Sequence, residues 1–441
     1  MEPNDRAIAV MTLRIAWLGP WNVHSSIATF GALIVAELSN RGHTVDIFRS
    51  ETGSSALLPE LPAARRVQRL GEIPAHVLQG SYDAVLANLG DNFAMHGAIL
   101  PYLQKVPLLL ILHDLFLANL AAGWAATLPD GETILRTMVR ETYGNAALPA
   151  KAPYWTDFAR MVAERPLVEY FASFGYGAIV HAHHYETRVR TACLGPVVCV
   201  PVVAYVPPDI MAPQPIRDTL TIVTIGHVNR NKQAAEVITA IAALPTLRQS
   251  VRYRLIGPVE DSMQRELLDL AARLGVSPPI FTGWASDDDL RRHIEDADVI
   301  CCLRNPVLEG SSGSMVLGLM SERPTLVSNH GCYAEIPDGL VLKCRPGAEA
   351  ADVAAHLNWV LSRPESAADM GRRAARFARA VYNPVPYTDG VLRLIEQATP
   401  RLPGILAGLA IGRVLGSFGM ARSDPAATRA ADALADLLDE H

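Results

Sequence analysis

No stretch of this 441-residue chain carries a block of one charge sign, and its 39 Lys and Arg against 45 Asp and Glu leave a net charge of −6. A nucleic-acid-binding surface needs a basic cluster, so no nucleic-acid partner is expected. Zinc-ribbon and redox cysteine spacings are also missing. The six cysteines are Cys193, Cys199, Cys301, Cys302, Cys332 and Cys344. Cys301 and Cys302 are neighbours inside an apolar run and read as buried strand residues. The set reads as reduced structural thiols of a cytosolic protein. No clean apolar run reaches membrane-spanning length. The nearest, 402–418, is interrupted by Arg413 and rich in glycine, and reads as a packed helix or a surface contact with lipid. The first residues show no secretory pattern, because Glu2, Asn4, Asp5 and Arg6 precede only a short apolar stretch, and Met11 offers a second start. There is no short-period repeat and no low-complexity tract. Neither Gly19 nor Gly226 begins a Gly-x-Gly-x-x-Gly fingerprint, which argues against a nicotinamide or flavin enzyme.

What is present is an ample core. Half the residues are apolar and under a fifth are charged, and the chain is too long for one ordinary core. Strand-like apolar runs fall at 13–17, 45–48, 84–87, 107–112, 178–181 and 197–203, with a helical pattern over 27–38. A second series falls at 220–225, 253–256, 280–282, 299–303, 325–327 and 341–342. Helices are expected over 232–244, 261–274, 288–295 and 314–321. Alternating strands and helices imply a parallel, doubly wound sheet, here twice. Between the series stands Val206-Pro207-Pro208-Asp209, followed by Pro213 and Pro215, a stiff connection. The expected division is an α/β unit over 1–206, a Pro-rich linker over 207–219, a second α/β unit over 220–382 and a helical segment over 383–441. That last segment includes helices over 383–397 and 425–439, the latter with Asp424 as cap.

Two loops carry candidate chemistry. In Thr224-Ile-Gly-His-Val-Asn-Arg-Asn-Lys232 a strand ends at Gly226, and Lys232 falls near a helix start, where ammonium and helix amides could hold one diphosphate. His227 and Arg230 could add to that grip. The competing reading is a solvated loop. In Leu303-Arg-Asn-Pro-Val-Leu-Glu-Gly-Ser-Ser-Gly-Ser-Met315 a strand is followed by Glu309 and a loop of Gly310, Ser311, Ser312, Gly313 and Ser314 that opens an apolar helix. Its amides suit phosphate, and Glu309 suits ligand hydroxyls. The competing reading is that Ser311 or Ser312 simply caps the helix.

These residues resemble the retaining, family-4 glycosyltransferases of GT-B fold. The stretch from Gly226 to Lys232 is similar to their phosphate loop, with His227 where most members have arginine. Phe281-Thr-Gly-Trp284 is similar to the strand end that meets the nucleotide base. Glu309 through Pro324-Thr-Leu-Val-Ser328 is similar to the Glu-x7-Glu signature, except that Leu317 stands at the second glutamate. Leu89-Gly-Asp-Asn92, His96 and Leu112-His-Asp114 resemble a pattern of a bacterial branch. Ser25-Ser26-Ile27-Ala28 matches Ser-Gly-Ile-Ala at the first turn, with Ser26 replacing glycine.

The resemblance implies two facing Rossmann-like units with C-terminal helices, the acceptor on the first and a nucleotide-sugar donor on the second. It implies retaining sugar transfer in polysaccharide or glycoconjugate synthesis. His113 and Glu309 would contact the sugar and Lys232 the diphosphate. Ser26, Gly226, His227, Arg230, Trp284, Gly310, Ser311, Ser312, Gly313, Ser314 and Leu317 would line the donor. The acceptor, whether sugar, lipid-linked or protein, stays open. No cofactor and no metal are expected, and the location is cytoplasmic, with contact at the inner membrane face as an option. Asp287, Asp288 and Asp289 mimic a metal-binding pattern but lie at a helix start and read as dipole and cap residues. His181, His183 and His184 have no carboxylate or cysteine at ligand spacing in sequence. His113 and Asp114 could also merely end a strand, with Asp114 capping the next helix. A catalytically silent GT-B protein and a nucleotide-sugar epimerase remain as alternatives, the former favoured by Leu317.

Overall fold

The computed structural model describes residues 12–52, 64–144, 157–206, 210–211, 219–245, 248, 251–420, 424–426, 428–430 and 432–433. The linker prolines Pro207, Pro208, Pro213 and Pro215 lie outside them, as does most of the stretch 425–439; Asp424 does cap its start, accepting from Ala426 N at 2.8 Å.

The first unit is built on β1 (Arg14–Gly19), β2 (Thr44–Arg49), β3 (Arg66–Arg69), β4 (Ala84–Leu89), β5 (Leu108–Leu112), β6 (Gly175–Val180) and β7 (Val197–Cys199). The second is built on β8 (Leu220–Ile225), β9 (Val251–Ile256), β10 (Ile280–Gly283), β11 (Val299–Cys302), β12 (Thr325–Ser328) and β13 (Leu342–Cys344). Every strand pairing within the two sheets is parallel. β4, β5 and β6 are buried at every residue, as parallel strands covered on both faces must be, and the apolar runs within them made them legible. β3 was not expected from sequence. It is an edge strand, Arg-Val-Gln-Arg, with exposed ends and no apolar run to announce it.

The strand orders are β3-β2-β1-β4-β5-β6-β7 and β10-β9-β8-β11-β12-β13. In each sheet the chain winds outward for three strands and then crosses back to the side of the first. The order therefore reverses between β1 and β4, and again between β8 and β11. Crevices beyond the carboxyl ends of strands at such reversals are where this architecture binds ligands. The loops after β4, β8 and β11 contain most of the candidate residues.

Two local differences from the sequence reading matter. The helix expected over 232–244 begins only at Ala234. Arg230–Lys232 is a separate 3-10 turn, and Gln233 adopts a left-handed φ of 56° between the two. The break turns Lys232 back toward the sheet. The late helix, Pro384–Ala398 with Asn383 as its cap, packs on the first unit. Its Tyr387, Val391, Leu394 and Ile395 share a core with Ile15, Trp17, Ile34 and Ile179. Another apolar core is continuous across both units, from Leu110, Leu112 and Phe116 to Met315, Val327 and Tyr333. Cys301 and Cys302 are buried strand residues, as expected. Among the described residues no helix is long and apolar enough to cross a membrane.

Candidate functional site

At the end of β8 the chain turns through Gly226, whose φ is +96°. A side chain there would bring its Cβ within 2.9 Å of Lys232 Nζ, so glycine leaves room for the ammonium. Lys232 is buried and donates to the Ile225 carbonyl at 2.5 Å. Burial, with the nearby Arg304 charge adding to it, lowers its pKa from 10.5 to about 7. The other two basic residues of this loop are placed differently. His227 is exposed, and Arg230 points outward into a bidentate pair with Glu266 at 2.9 and 2.7 Å. Lys232 alone of the three is enclosed.

The loop after β11 supplies a second charged group. Arg304 is buried, and its Nε lies 2.9 Å from Glu309 Oε1. Its backbone amide donates to Ser328 Oγ at 2.8 Å, and its Nη1 donates to the Leu303 carbonyl at 2.7 Å. Tyr333 donates its hydroxyl proton to the same Glu309 oxygen at 2.6 Å. Burial alone would raise the Glu309 carboxyl, but Arg304 and then Tyr333 outweigh it and hold the group below its ordinary value. Glu309 is therefore an ionised carboxylate with one oxygen doubly engaged. Ser312 caps the helix Gly313–Met320, accepting from Met315 N at 3.3 Å, and its hydroxyl lies 3.1 Å from that of Ser314. The amides of Gly313 and Ser314 open this helix, where the dipole favours an anion. Leu317 lies further along it, 5 % exposed.

The facing wall comes from the first unit and touches this loop directly. Asp114 and Glu309 form an antiparallel bridge. Gly310 N donates to the His113 carbonyl at 2.8 Å, and Phe116 N donates to the Leu308 carbonyl at 2.9 Å. Gly310 is required by this contact: a Cβ would fall 2.3 Å from Tyr185 Oη and 2.8 Å from the His113 oxygen.

The His113 ring has both nitrogens engaged within its own unit, Nε2 with Asn88 Oδ1 at 3.0 Å and Nδ1 with His181 Nε2 at 3.2 Å. His181 Nδ1 faces the Val200 carbonyl at 3.2 Å. Two neutral imidazoles thus have two protons for three contacts. Burial opposes a third proton, lowering His113 well below its usual range and His181 to about 4.

Asp114 does not cap the following helix. Its carboxylate accepts from Asp91 N at 2.8 Å, and Asp91 takes the helix amides of Asn119 and Leu120 at 2.8 and 3.1 Å. The capping role thus falls to Asp91 of the loop after β4. Burial raises the Asp114 carboxyl to about 7; the bond from Asp91 N opposes the rise, and the Glu309 charge adds to it.

Ser26 is the exposed first residue of the helix Ser26–Asn40, beside the cap Ser25. Trp284, 63 % exposed at the end of β10, meets His24 of the first unit edge to face, with ring centroids 4.8 Å apart. Asp287, Asp288 and Asp289 form the first turn of a helix, as expected, but its cap is Ser286 and not an aspartate, and Asp289 is ion-paired with Arg292. One expectation is corrected. His183 does have a carboxylate and a thiol at ligand distance, because Glu186 is one helical turn away and Cys199 ends the neighbouring strand β7. The three ligand atoms lie within 4.8 Å of one another. Arg190 already pairs with Glu186 there.

Sequence reasoning missed Arg304, Tyr333 and Asp91 as functional neighbours. Arg304 carried a signal, a charged residue directly after a fully apolar strand. Tyr333, 24 residues beyond Glu309, carried none.

Residues 208–377 match the family model for glycosyl transferases group 1. No curated protein sequence matches the chain. In fold the chain is similar to HepE of Anabaena, solved with UDP and glucose, at 14 % identity and a TM-score of 0.58, covering 87 % of this chain and 99 % of that one. It is similar to sucrose-phosphate synthase of Thermosynechococcus elongatus at 15 % and 0.59, covering 90 % and 99 %. It is also similar to WaaG, a glycosyltransferase involved in lipopolysaccharide biosynthesis, at 14 % and 0.54, covering 85 % and 98 %. The family match thus falls on the second unit, and the fold is GT-B.

Proposed function

We propose that the protein transfers a sugar from a nucleoside-diphosphate sugar to an acceptor, with retention at the anomeric carbon. The observation that carries this reading is the convergence at the β8/β11 reversal of Lys232, the Arg304–Glu309 pair and the helix start at Gly313. That combination suits a sugar diphosphate, with excess positive charge for the phosphates and a carboxylate for hydroxyls. HepE, of the same fold, was solved with UDP and with UDP-glucose, so UDP-sugars are the first donors to test.

In this reading the anomeric carbon–oxygen bond to the diphosphate breaks, and the bond to the acceptor oxygen forms on the same face. The acceptor proton passes to the departing phosphate. Lys232, protonated in the presence of the diphosphate, and the amides of Gly313 and Ser314 stabilise the charge that develops. Glu309 accepts from sugar hydroxyls through its less engaged oxygen. His113 lines the sugar from the opposite wall, which requires its Nε2 to exchange Asn88 for the ligand. Trp284 meets the base, and closure of the wall at Gly310 excludes water. No step calls for a divalent metal. The acceptor class is a sugar, a lipid-linked sugar or a protein, and the setting is bacterial polysaccharide or glycoconjugate synthesis at the cytoplasmic side.

Leu317 favours one competing reading, a silent protein that binds nucleotides. A thermal-shift series with UDP-, GDP-, ADP- and TDP-sugars identifies the donor, since a ligand held only by the folded state raises apparent stability. Transfer or slow hydrolysis of the stabilising donor supports the enzyme. Binding without turnover supports the silent protein, and interconversion of donors without acceptor supports an epimerase.

A further inference from the structure

Transfer chemistry makes no use of the helix Leu402–Ser417. None of its residues is buried. Leu406 is 44 % exposed, Leu409 42 %, Ile411 40 % and Val414 55 %, and Phe418 at its end is 76 % exposed. Leu402 and Ile405 rest on the core of the first unit, and Arg413 donates to the Gln104 carbonyl at 3.0 Å. The half-buried Gly404, Ile405, Gly408 and Leu415 mark the inward side. Helical periodicity then puts Pro403, Leu406, Ala407, Ala410, Val414 and Phe418 on the outward side, and each is exposed. An apolar helix interrupted by Gly404, Gly408, Gly412 and Gly416 is weakly helical by itself in water, so its outward face calls for a cover.

Charge identifies the cover. From 397 to 423 the chain has no Asp or Glu but has Arg401, Arg413 and Arg422, although the whole chain carries −6. The segment is a local cationic, apolar exception on an anionic protein. A second copy is a poor fit, because it would bring like charges together. The four-residue glycine stripe that lets helices approach closely begins at the half-buried Gly404 and Gly408, toward the protein itself. Sixteen residues span about 24 Å, short of the roughly 30 Å hydrocarbon core, so the helix suits lying on a bilayer rather than crossing it.

We infer that the helix Leu402–Ser417 lies in the interface of an anionic phospholipid bilayer. Leu406, Val414 and Phe418 enter the acyl layer, and Arg401 and Arg413 stand at headgroup level. Vesicle binding needs no sugar donor, so this inference stands apart from the transfer reaction.

The test is co-sedimentation of the full chain with phosphatidylcholine vesicles, with and without phosphatidylglycerol. Leu406→Asp/Val414→Asp is run in parallel, and light scattering gives the mass without lipid. Both substitutions touch exposed side chains, and an unchanged melting temperature confirms that the fold is kept. Anionic vesicles should bind at least about tenfold more tightly than neutral ones, and the double variant should lose about tenfold or more. Absence of binding, equal binding to neutral vesicles, or full binding by a folded double variant would overturn the inference. So would a lipid-free dimer that the double variant dissolves, which would assign the face to a second copy.

Discussion

Lys232→Met should stabilise the ligand-free protein while removing its response to nucleotide. The fall in the lysine pKa from 10.5 to about 7 means that the enclosed ammonium is disfavoured by about 5 kcal/mol relative to the unfolded chain. Near pH 7, where about half the lysines have shed the proton, the cost realised is about 4 kcal/mol. Methionine keeps a stem of similar size without the charge, but it leaves the Ile225 carbonyl without its donor, a loss of about 1–3 kcal/mol. The net gain is about 2 kcal/mol, or roughly 5 °C in melting temperature for a protein unit of this size. The folded pKa lies below the unfolded one, so between pH 7 and 10.5 the unfolded chain binds more protons and wild-type stability rises with pH. The advantage of Lys232→Met is therefore largest at pH 7 and below, and fades toward pH 10. The assay is a pair of melting curves at each pH, with and without UDP, together with turnover of whichever donor is found. A wild-type UDP shift that vanishes in the variant, with turnover down tenfold or more, is expected. A lower melting temperature at pH 7 would refute the electrostatic reasoning, and an undiminished UDP shift would remove Lys232 from the diphosphate site.

Gly310→Ala should loosen the closed wall, because its methyl meets Tyr185 Oη and the His113 carbonyl; weaker donor binding with Tyr185→Phe/Gly310→Ala partly restored is the expected result, read by calorimetry. If lysine and helix amides carry the phosphate charge, activity should survive EDTA and gain nothing from Mg²⁺ or Mn²⁺; loss on chelation and recovery with metal would return attention to Asp287, Asp288 and Asp289, or to His183 and its neighbours. Leu317 offers no acceptor to a ribose hydroxyl, and the missing charged hydrogen bond is worth about 1.5–3 kcal/mol, partly recovered through water. UDP and dUDP should therefore bind within about tenfold of each other, and a large ribose preference by calorimetry would show that another residue does the work.

The fold was legible where burial on both faces writes an unbroken apolar run, as in β5 and the first four residues of β4. It was illegible at β3, whose stability comes from pairing with β2 and not from its own side chains. The candidate loops were legible as glycine, serine and charge placed at strand ends. Their inner geometry was not. Nothing in Gln233 announces a left-handed residue that splits the expected helix and turns Lys232 inward, because its amide bonds to Arg230 and Asn305 form only once both loops are in place. Arg230 and His227 were expected to add to the grip of Lys232, but Glu266, 36 residues on, draws Arg230 to the surface.

The enclosed charges explain why these two loops must lie together. Arg304 is neutralised by Glu309, and burial of both is tolerable because each satisfies the other and Tyr333 completes the carboxylate. Lys232 has no such full counter-ion among the groups described around it; the Ile225 carbonyl offers only a dipole. The same burial that lowers its pKa makes the position respond to an anion, because a phosphate nearby would restore the ammonium that the protein alone disfavours. A neutral sugar would leave the lysine as it is, whereas a diphosphate would draw in a proton as it binds. At pH 8 that proton must come from solvent, so UDP affinity should fall as pH rises above about 7. Proton uptake then appears as a binding enthalpy that varies with the buffer's ionisation heat. On the proposed function, the electrostatics of an enclosed lysine beside a closed ion pair, and not the lysine alone, would give this site a preference for the diphosphate end of a donor.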